Sequence, residues 1–213
     1  MFKKIIMIKD IINKEKQDKL TPSAVLNDLM DGNKRYMENK MHPRDYASQI
    51  SKTSGGQWPK AVVLGCIDSR VVVETVFDQG VGDLFVARVA GNFENVDILG
   101  SLEYSCKVAG SKLVMVLGHE SCGAVKAACD HVELGNITQM LNNIKPAVEA
   151  TETKGERNSE NADFVAGVVE NNVKLTLKRI REKSPILKEM EDNGEIDIVG
   201  GIYSISTGKV TLI

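Results

Sequence analysis

From Lys60 onward, short continuous apolar runs alternate with amphipathic helical patterns, and that alternation leaves few folds open. Ala61-Val62-Val63-Leu64-Gly65, Leu84-Phe85-Val86-Ala87-Arg88-Val89 and Lys112-Leu113-Val114-Met115-Val116-Leu117 each read as a strand. The first of these is apolar throughout, as strands covered by helices on both faces are. Between them, Val72 to Gln79 reads as a short helix stopped at Gly80. Asp97 reads as the cap of a helix carrying Ile98, Leu99, Leu102, Tyr104 and Val108 that ends near Gly110, and Cys122 to His131 opens another. Strands separated by helices imply parallel pairing through right-handed crossovers. Asn136 to Ala150 and Phe164 to Arg181 look amphipathic, joined by the polar run from Thr151 to Asn161. Glu195 to Ser206 is a fourth strand, Thr207-Gly208 a turn, and Lys209 to Ile213 a short strand returning antiparallel. The expected class is α/β: a central, mostly parallel sheet of four parallel strands plus a C-terminal antiparallel strand, flanked by helices.

An N-terminal helical arm precedes this core. Thr21-Pro22 supplies a capping hydroxyl and a proline at the first helical position. Val25, Leu26, Leu29, Met30, Tyr36 and Met37 then recur near helical spacing, interrupted at Gly32. From His42 to Pro59 the chain is polar and poorly periodic, which suits an extended arm around a partner subunit or a plain surface loop. The expected division is residues 1–59 as N-terminal helix and arm and 60–213 as the α/β core, one domain overall.

Composition narrows the partners. The 213 residues suffice for one sizeable core. A net charge of -2 gives no reason to expect nucleic acid or an anionic membrane as partner. The Lys-rich start, Lys3 to Lys19, is interleaved with acids and isoleucines and reads as a solvated amphipathic segment. No apolar stretch approaches the roughly 20 residues that span a bilayer. The run from Met1 to Ile8 stops at Lys9-Asp10, too short for a secretory leader. Four cysteines are too few for a disulfide scaffold at this size, so a reducing cytoplasm is the expected compartment, with an exported or periplasmic form whose leader is absent from this chain as the alternative.

Two stretches just past strand ends carry the chemistry: Cys66-Ile67-Asp68-Ser69-Arg70 and His119-Glu120-Ser121-Cys122-Gly123. Zinc favours thiolate and imidazole ligands in tetrahedral array, and catalytic sites keep one position exchangeable. His119 and Cys122 stand three apart at a strand-to-helix turn, so both can point at one ion. In open parallel sheets, ligands collect at the carboxyl ends of strands where the winding reverses. If the first and third strands are neighbours, Cys66 meets the His119/Cys122 pair there, leaving a fourth position for water or for Asp68. Each motif alone has a bland counterpart: a turn histidine beside a buried thiol, or a buried cysteine followed by an Asp/Arg pair in a loop. Both at strand ends make coincidence a poor explanation.

The two motifs together resemble the signature of the β-class carbonic anhydrases. The resemblance extends through Phe77-Asp78-Gln79-Gly80, Gly82-Asp83-Leu84-Phe85, Ala90-Gly91-Asn92, Leu99 to Tyr104 and Gly200-Gly201-Ile202-Tyr203, roughly residues 22 to 213. It implies a lyase that reversibly hydrates CO2 to bicarbonate and a proton through a zinc-bound hydroxide. It implies one Zn2+ per subunit held by Cys66, His119 and Cys122, with Asp68 and Arg70 as a catalytic dyad and Asp68 a fourth ligand in a closed state. It implies CO2 and bicarbonate as substrates and a homodimer or homotetramer with active sites near the interface. Gly123, through its backbone N–H, and Gln79 are the candidates for contact with substrate.

The chain departs from the family pattern at three places, one of them Val89 and Gly91, which replace residues common in its Arg-Asn-x-Ala-Asn pattern. Val72 stands where many members have proline, and Gln79 lies one residue early for the family's pocket glutamine. Among the remaining candidates, His131 reads as a helix-end histidine rather than a proton shuttle, and His42 as a solvated arm residue. Cys106 and Cys129 read as packing residues, and Trp58 as packing at the first strand's start. A zinc hydrolase of a CO2 analogue such as carbon disulfide, and a protein with a purely structural zinc, are the competing functions.

Overall fold

The computed structural model describes residues 7–213; the short apolar start at Met1 to Ile6 lies outside them. Five strands form one sheet in the order β2-β1-β3-β4-β5: β1 is Ala61–Gly65, β2 Leu84–Arg88, β3 Leu113–His119, β4 Asp197–Tyr203 and β5 Val210–Leu212. The first four pair in parallel, and β5 returns antiparallel on β4. This is the expected class. Every residue of β1 and β3 is buried, as their unbroken apolar runs require. Side chains alternate across the sheet, so Ala61 and Val63 pack with Leu113, Met115 and Leu117 on one face, while Val62 and Leu64 pack with Val114 and Val116 on the other.

Helices cover both faces. Helix α1 spans Lys14–Asp18 and α2 spans Pro22–Met37, the latter capped by Thr21, whose hydroxyl accepts from Ala24 N. Val25 and Leu29 of α2 enter the β1/β3 core together with Val73 and Val76 of α4, Val73–Val76. Gly32 does not interrupt α2. A Cβ there would overlap the Phe77 carbonyl oxygen, so glycine permits the helix to touch the α4 turn.

The arm is not wholly extended, a correction to the sequence expectation. It contains α3, Tyr46–Thr53, capped by Asp45, whose carboxylate accepts from Ser48 N. Its helical pattern escapes the sequence because Tyr46 and Ile50 are 54% and 59% exposed, while the polar Gln49 is buried. The next helix, α5, spans Val96–Glu103, is capped by Asn95 rather than Asp97, and runs on as a π-helical turn, Tyr104–Val108.

The remaining helices are α6 (Gly123–Cys129), α7 (Gly135–Leu141), α8 (Lys145–Ala150), α9 (Ala162–Lys183) and α10 (Pro185–Asp192). The amphipathic stretch from Asn136 to Ala150 thus carries two helices, with Pro146 in the first turn of the second. Ser184 follows α9 and caps α10, accepting from Leu187 N. Nothing in the sequence reading marked α10.

The chain moves from β1 outward to β2, then crosses back to β3 on the other side of β1. The winding therefore reverses between β1 and β3, where such sheets present their ligand crevice. Gly65 stands opposite Leu117, so Cys66 and His119 leave neighbouring strands close together.

Candidate metal centre

Cys66 follows the last residue of β1, His119 ends β3, and Cys122 is the N-cap residue of α6. The turn between them is tight, with Ser121 in the left-handed region at φ 53°. All three side chains are buried, and their ligand atoms lie within 4.8 Å of one another. Among the described residues they form the one cluster of His, Cys, Asp and Glu with metal-ligand spacing.

The donor set fits zinc. The two Sγ atoms are 3.9 Å apart, close to the roughly 3.8 Å edge of a tetrahedron with metal–sulfur bonds of about 2.3 Å. His119 Nδ1 lies 2.9 Å from the Glu120 carbonyl oxygen, so Nδ1 carries the proton and donates it. That leaves Nε2 with its lone pair, buried and without a protein partner. A backbone carbonyl fixing one nitrogen while the other faces the cluster is the usual way a ligating histidine is oriented.

The thiols are prepared as well. The Cys66 thiol is pushed down to about 4, chiefly by its bond to Cys122, against burial and with help from His119 and the Gly91 N–H, 3.3 Å from Sγ. Cys122 is pushed up because it holds the proton the pair shares and because it is buried. A cation binding both sulfurs displaces that proton. By contrast, burial pushes the Cys106 thiol up to about 12 and the Cys129 thiol up to about 11. Both pack in the core as neutral thiols, as expected.

Asp68 stands at the rim. Its Oδ1 accepts from the Arg70 backbone N–H and Nε, both at 2.9 Å, and its Oδ2 accepts from Arg70 Nη2 at 2.6 Å. Oδ2 is also 3.9 Å from His119 Nε2, so the carboxylate faces the ligand cluster. The Arg70 guanidinium holds the Asp68 carboxyl well below the usual carboxylate range, with burial opposing it.

Arg88, the last residue of β2, was not singled out by its sequence. Its Nε donates to the Cys66 carbonyl at 2.8 Å, and its Nη2 to the carbonyls of Asp68 at 2.7 Å and Val71 at 3.0 Å. One guanidinium thus ties down the loop that carries both Cys66 and the Asp68–Arg70 pair. The available signal was a cation closing an otherwise apolar strand.

Gly123 opens α6 beside Cys122, exposed, with open space where a Cβ would stand. Gln79 is not brought to this cluster within the chain. It is buried near Asp28 and donates to the Phe77 carbonyl at 2.7 Å; Asp28 in turn pairs with Lys60, at the opposite end of β1 from Cys66. His131 and His42 are exposed, and Trp58 is half-buried against Gly56.

The carbonic anhydrase family profile matches residues 61–210. The chain is 33% identical over 197 residues to carbonic anhydrase 2 of Mycobacterium tuberculosis, covering 90% of this chain and 92% of that one. It is 35% identical over 197 residues to the carbonic anhydrase of Mycolicibacterium smegmatis, covering 90% of this chain and 93% of that one. In fold it is similar to a tetrameric β-carbonic anhydrase from Sordaria macrospora, with a TM-score of 0.67 at 20% identity over 90% of this chain and 94% of that one. The chain belongs to the β-class carbonic anhydrase family. It is a carbonate dehydratase, a lyase, and its Cys66-His119-Cys122 triad fits the zinc site for CO2 hydration.

Proposed function

We propose that Cys66, His119 and Cys122 hold the zinc while Asp68 and Arg70 control the reacting oxygen beside it. The observation that carries this reading is the Asp68 carboxylate facing the unpartnered His119 Nε2 at 3.9 Å while fully engaged by Arg70. When bound, zinc supplies a Lewis acid that makes hydroxide available near neutral pH, a property for which carbonic anhydrases are themselves the standard example. An ionised Asp68 accepts the remaining O–H of the nucleophile and turns its lone pair toward CO2. Arg70 keeps Asp68 ionised and fixes its orientation through charge-assisted hydrogen bonds. Arg88 holds the loop under both. The Gly123 N–H is an unpaired first-turn amide of α6 and supports the oxygens of CO2 and bicarbonate.

Should Arg70 release Asp68, the carboxylate would take the position left by the three ligands and close the site. We place the enzyme as a homodimer or homotetramer, because the Sordaria macrospora relatives are described as tetrameric and the apolar Ile67 and Val72 stand exposed around the loop. Four free cysteines suit a reducing cytoplasm. Residues 1–59 then act as an arm on a single catalytic domain.

The test is Asp68→Asn, with zinc content and CO2 hydration measured on one preparation. Zinc stays stoichiometric and hydration falls by about 10²- to 10⁴-fold, the usual contribution of a positioned acid–base group. Hydration at the wild-type rate would remove Asp68 from the mechanism.

A further inference from the structure

The ligand Cys66 has an amide partner, and that amide has a keeper on another helix. Gly91 N donates toward Cys66 Sγ at 3.3 Å. Gly91 sits at φ +83°, in the left-handed region, and a Cβ there would overlap Ile144 Cδ1, so the turn is pressed against α8's approach. From the other side Asn172, buried on the inner stripe of α9, donates its Nδ2 to the Gly91 carbonyl at 2.8 Å. The same turn is tied at its base by Val89 N to the Gly65 carbonyl and Asn92 N to the Val89 carbonyl. Asn172 is the side chain that bonds the carbonyl of this turn, and its Oδ1 is buried without a partner.

A hydrogen bond to a metal-bound thiolate draws charge from the sulfur and weakens its donation. Two thiolate ligands work against an acidic metal, so an amide on one of them moves the site toward reactivity. We propose that Asn172 is a positioning residue for the metal site: by holding Gly91 it sets the N–H···S bond on Cys66 and with it the charge that Cys66 donates. The inference rests on Cys66 being a metal ligand, as argued above.

Cobalt(II) bound in place of zinc gives a thiolate-to-metal charge-transfer band whose energy falls as the sulfur donates more strongly. The experiment compares the full-length wild type with Asn172→Asp, which keeps shape but loses the donor, and Asn172→Ser, which is too short to reach. Thr176→Val is the control, one turn along the same buried face and with no hydrogen bond to the turn. Both Asn172 variants shift the band to longer wavelength and lower cobalt affinity by roughly tenfold to a hundredfold, as changes to outer-shell partners do; Thr176→Val leaves the band in place. Either Asn172 variant that folds suffices. A band unmoved in it, or moved equally in Thr176→Val, overturns the proposal even if affinity falls. Because Cys122 supplies a thiolate band of its own, Cys66→Ser is read alongside: a band that keeps its full intensity in Cys66→Ser refutes the Cys66 assignment itself, which separates the two failures.

Discussion

Two aspartate–arginine systems lie ten residues apart in this chain and serve opposite ends. Asp68 meets Arg70, its near neighbour, at the rim of the metal centre, with side chains 16% and 51% exposed. Asp78 has a side chain 0% exposed, in the left-handed region at φ 49°, and its partners come from far along the chain. Arg35 of α2 donates to its Oδ2 at 2.6 Å, Arg44 of the arm bonds both its carboxylate and its carbonyl, and His42 N reaches both oxygens at 3.2 and 3.3 Å. Burial is the largest influence on Asp78 and opposes its charge, yet Arg35, Arg44 and the His42 amide together bring its carboxyl below the usual range. The buried cluster pins the arm and α2 to the core; the Asp68–Arg70 pair instead stays within one loop, at the rim beside Cys66, His119 and Cys122. The same kind of ion pair ties distant segments together or stays local according to burial and the reach of its partners.

The contrast breaks most visibly at Asp78. Asp78→Asn keeps the shape and tolerates the left-handed backbone, but it leaves two guanidinium groups without their counter-charge. Denaturant unfolding should show a loss of about 3–5 kcal/mol, the usual result of removing one member of a buried pair, while zinc content in the folded fraction is unchanged.

Acid sharpens the same point. A carboxylate whose folded pKa lies below its unfolded value stabilises the fold fully above the unfolded value, about 3.9. That contribution is lost as pH falls through the lowered folded value. The stability gap between wild type and Asp78→Asn should therefore be constant above about pH 5 and shrink below about pH 4. A gap that widens on acidification would contradict the lowered pKa.

Arg88 links the two systems in kind, since it is a distant cation that serves the functional loop. Arg88→Leu should lower CO2 hydration by roughly tenfold to a hundredfold and raise local amide exchange over residues 66–71, with a smaller change in unfolding midpoint. The least effect on stability belongs to Asp68→Asn. Its partner Arg70 is half exposed at the rim and belongs to the same loop, so unfolding should move by less than about 1 kcal/mol even as activity collapses.

What the sequence disclosed follows the same line between local and distant. The strands β1 and β3 were legible because burial on both faces writes an unbroken apolar run. The Cys66 and His119/Cys122 motifs were legible because each is short and ends such a run. Asp68 and Arg70 share a motif, so their pairing could be anticipated. Asp78 with Arg35 and Arg44, Arg88 with the Cys66 loop, and Asn172 with Gly91 could not be, because each partner is brought by tertiary packing. Gly32 looked like a break in α2 because the helical period does not record what lies across the helix, here the Phe77 carbonyl. Helix α3 hid for the opposite reason, its apolar residues facing outward and a glutamine facing in. Gln79 was a pocket candidate by resemblance although one residue early by spacing, and within the chain its contacts are with Asp28 and the Phe77 carbonyl.

Two thiolates and one imidazole, from Cys66 after β1, His119 at the end of β3 and Cys122 at the start of α6, are the donor set for the metal. X-ray absorption at the zinc edge of the loaded full-length protein tests it directly. The expected shell has two sulfurs and one imidazole nitrogen, reduced to one sulfur in Cys66→Ser. A shell without sulfur, or one that keeps two sulfurs when Cys66 is replaced, would contradict it.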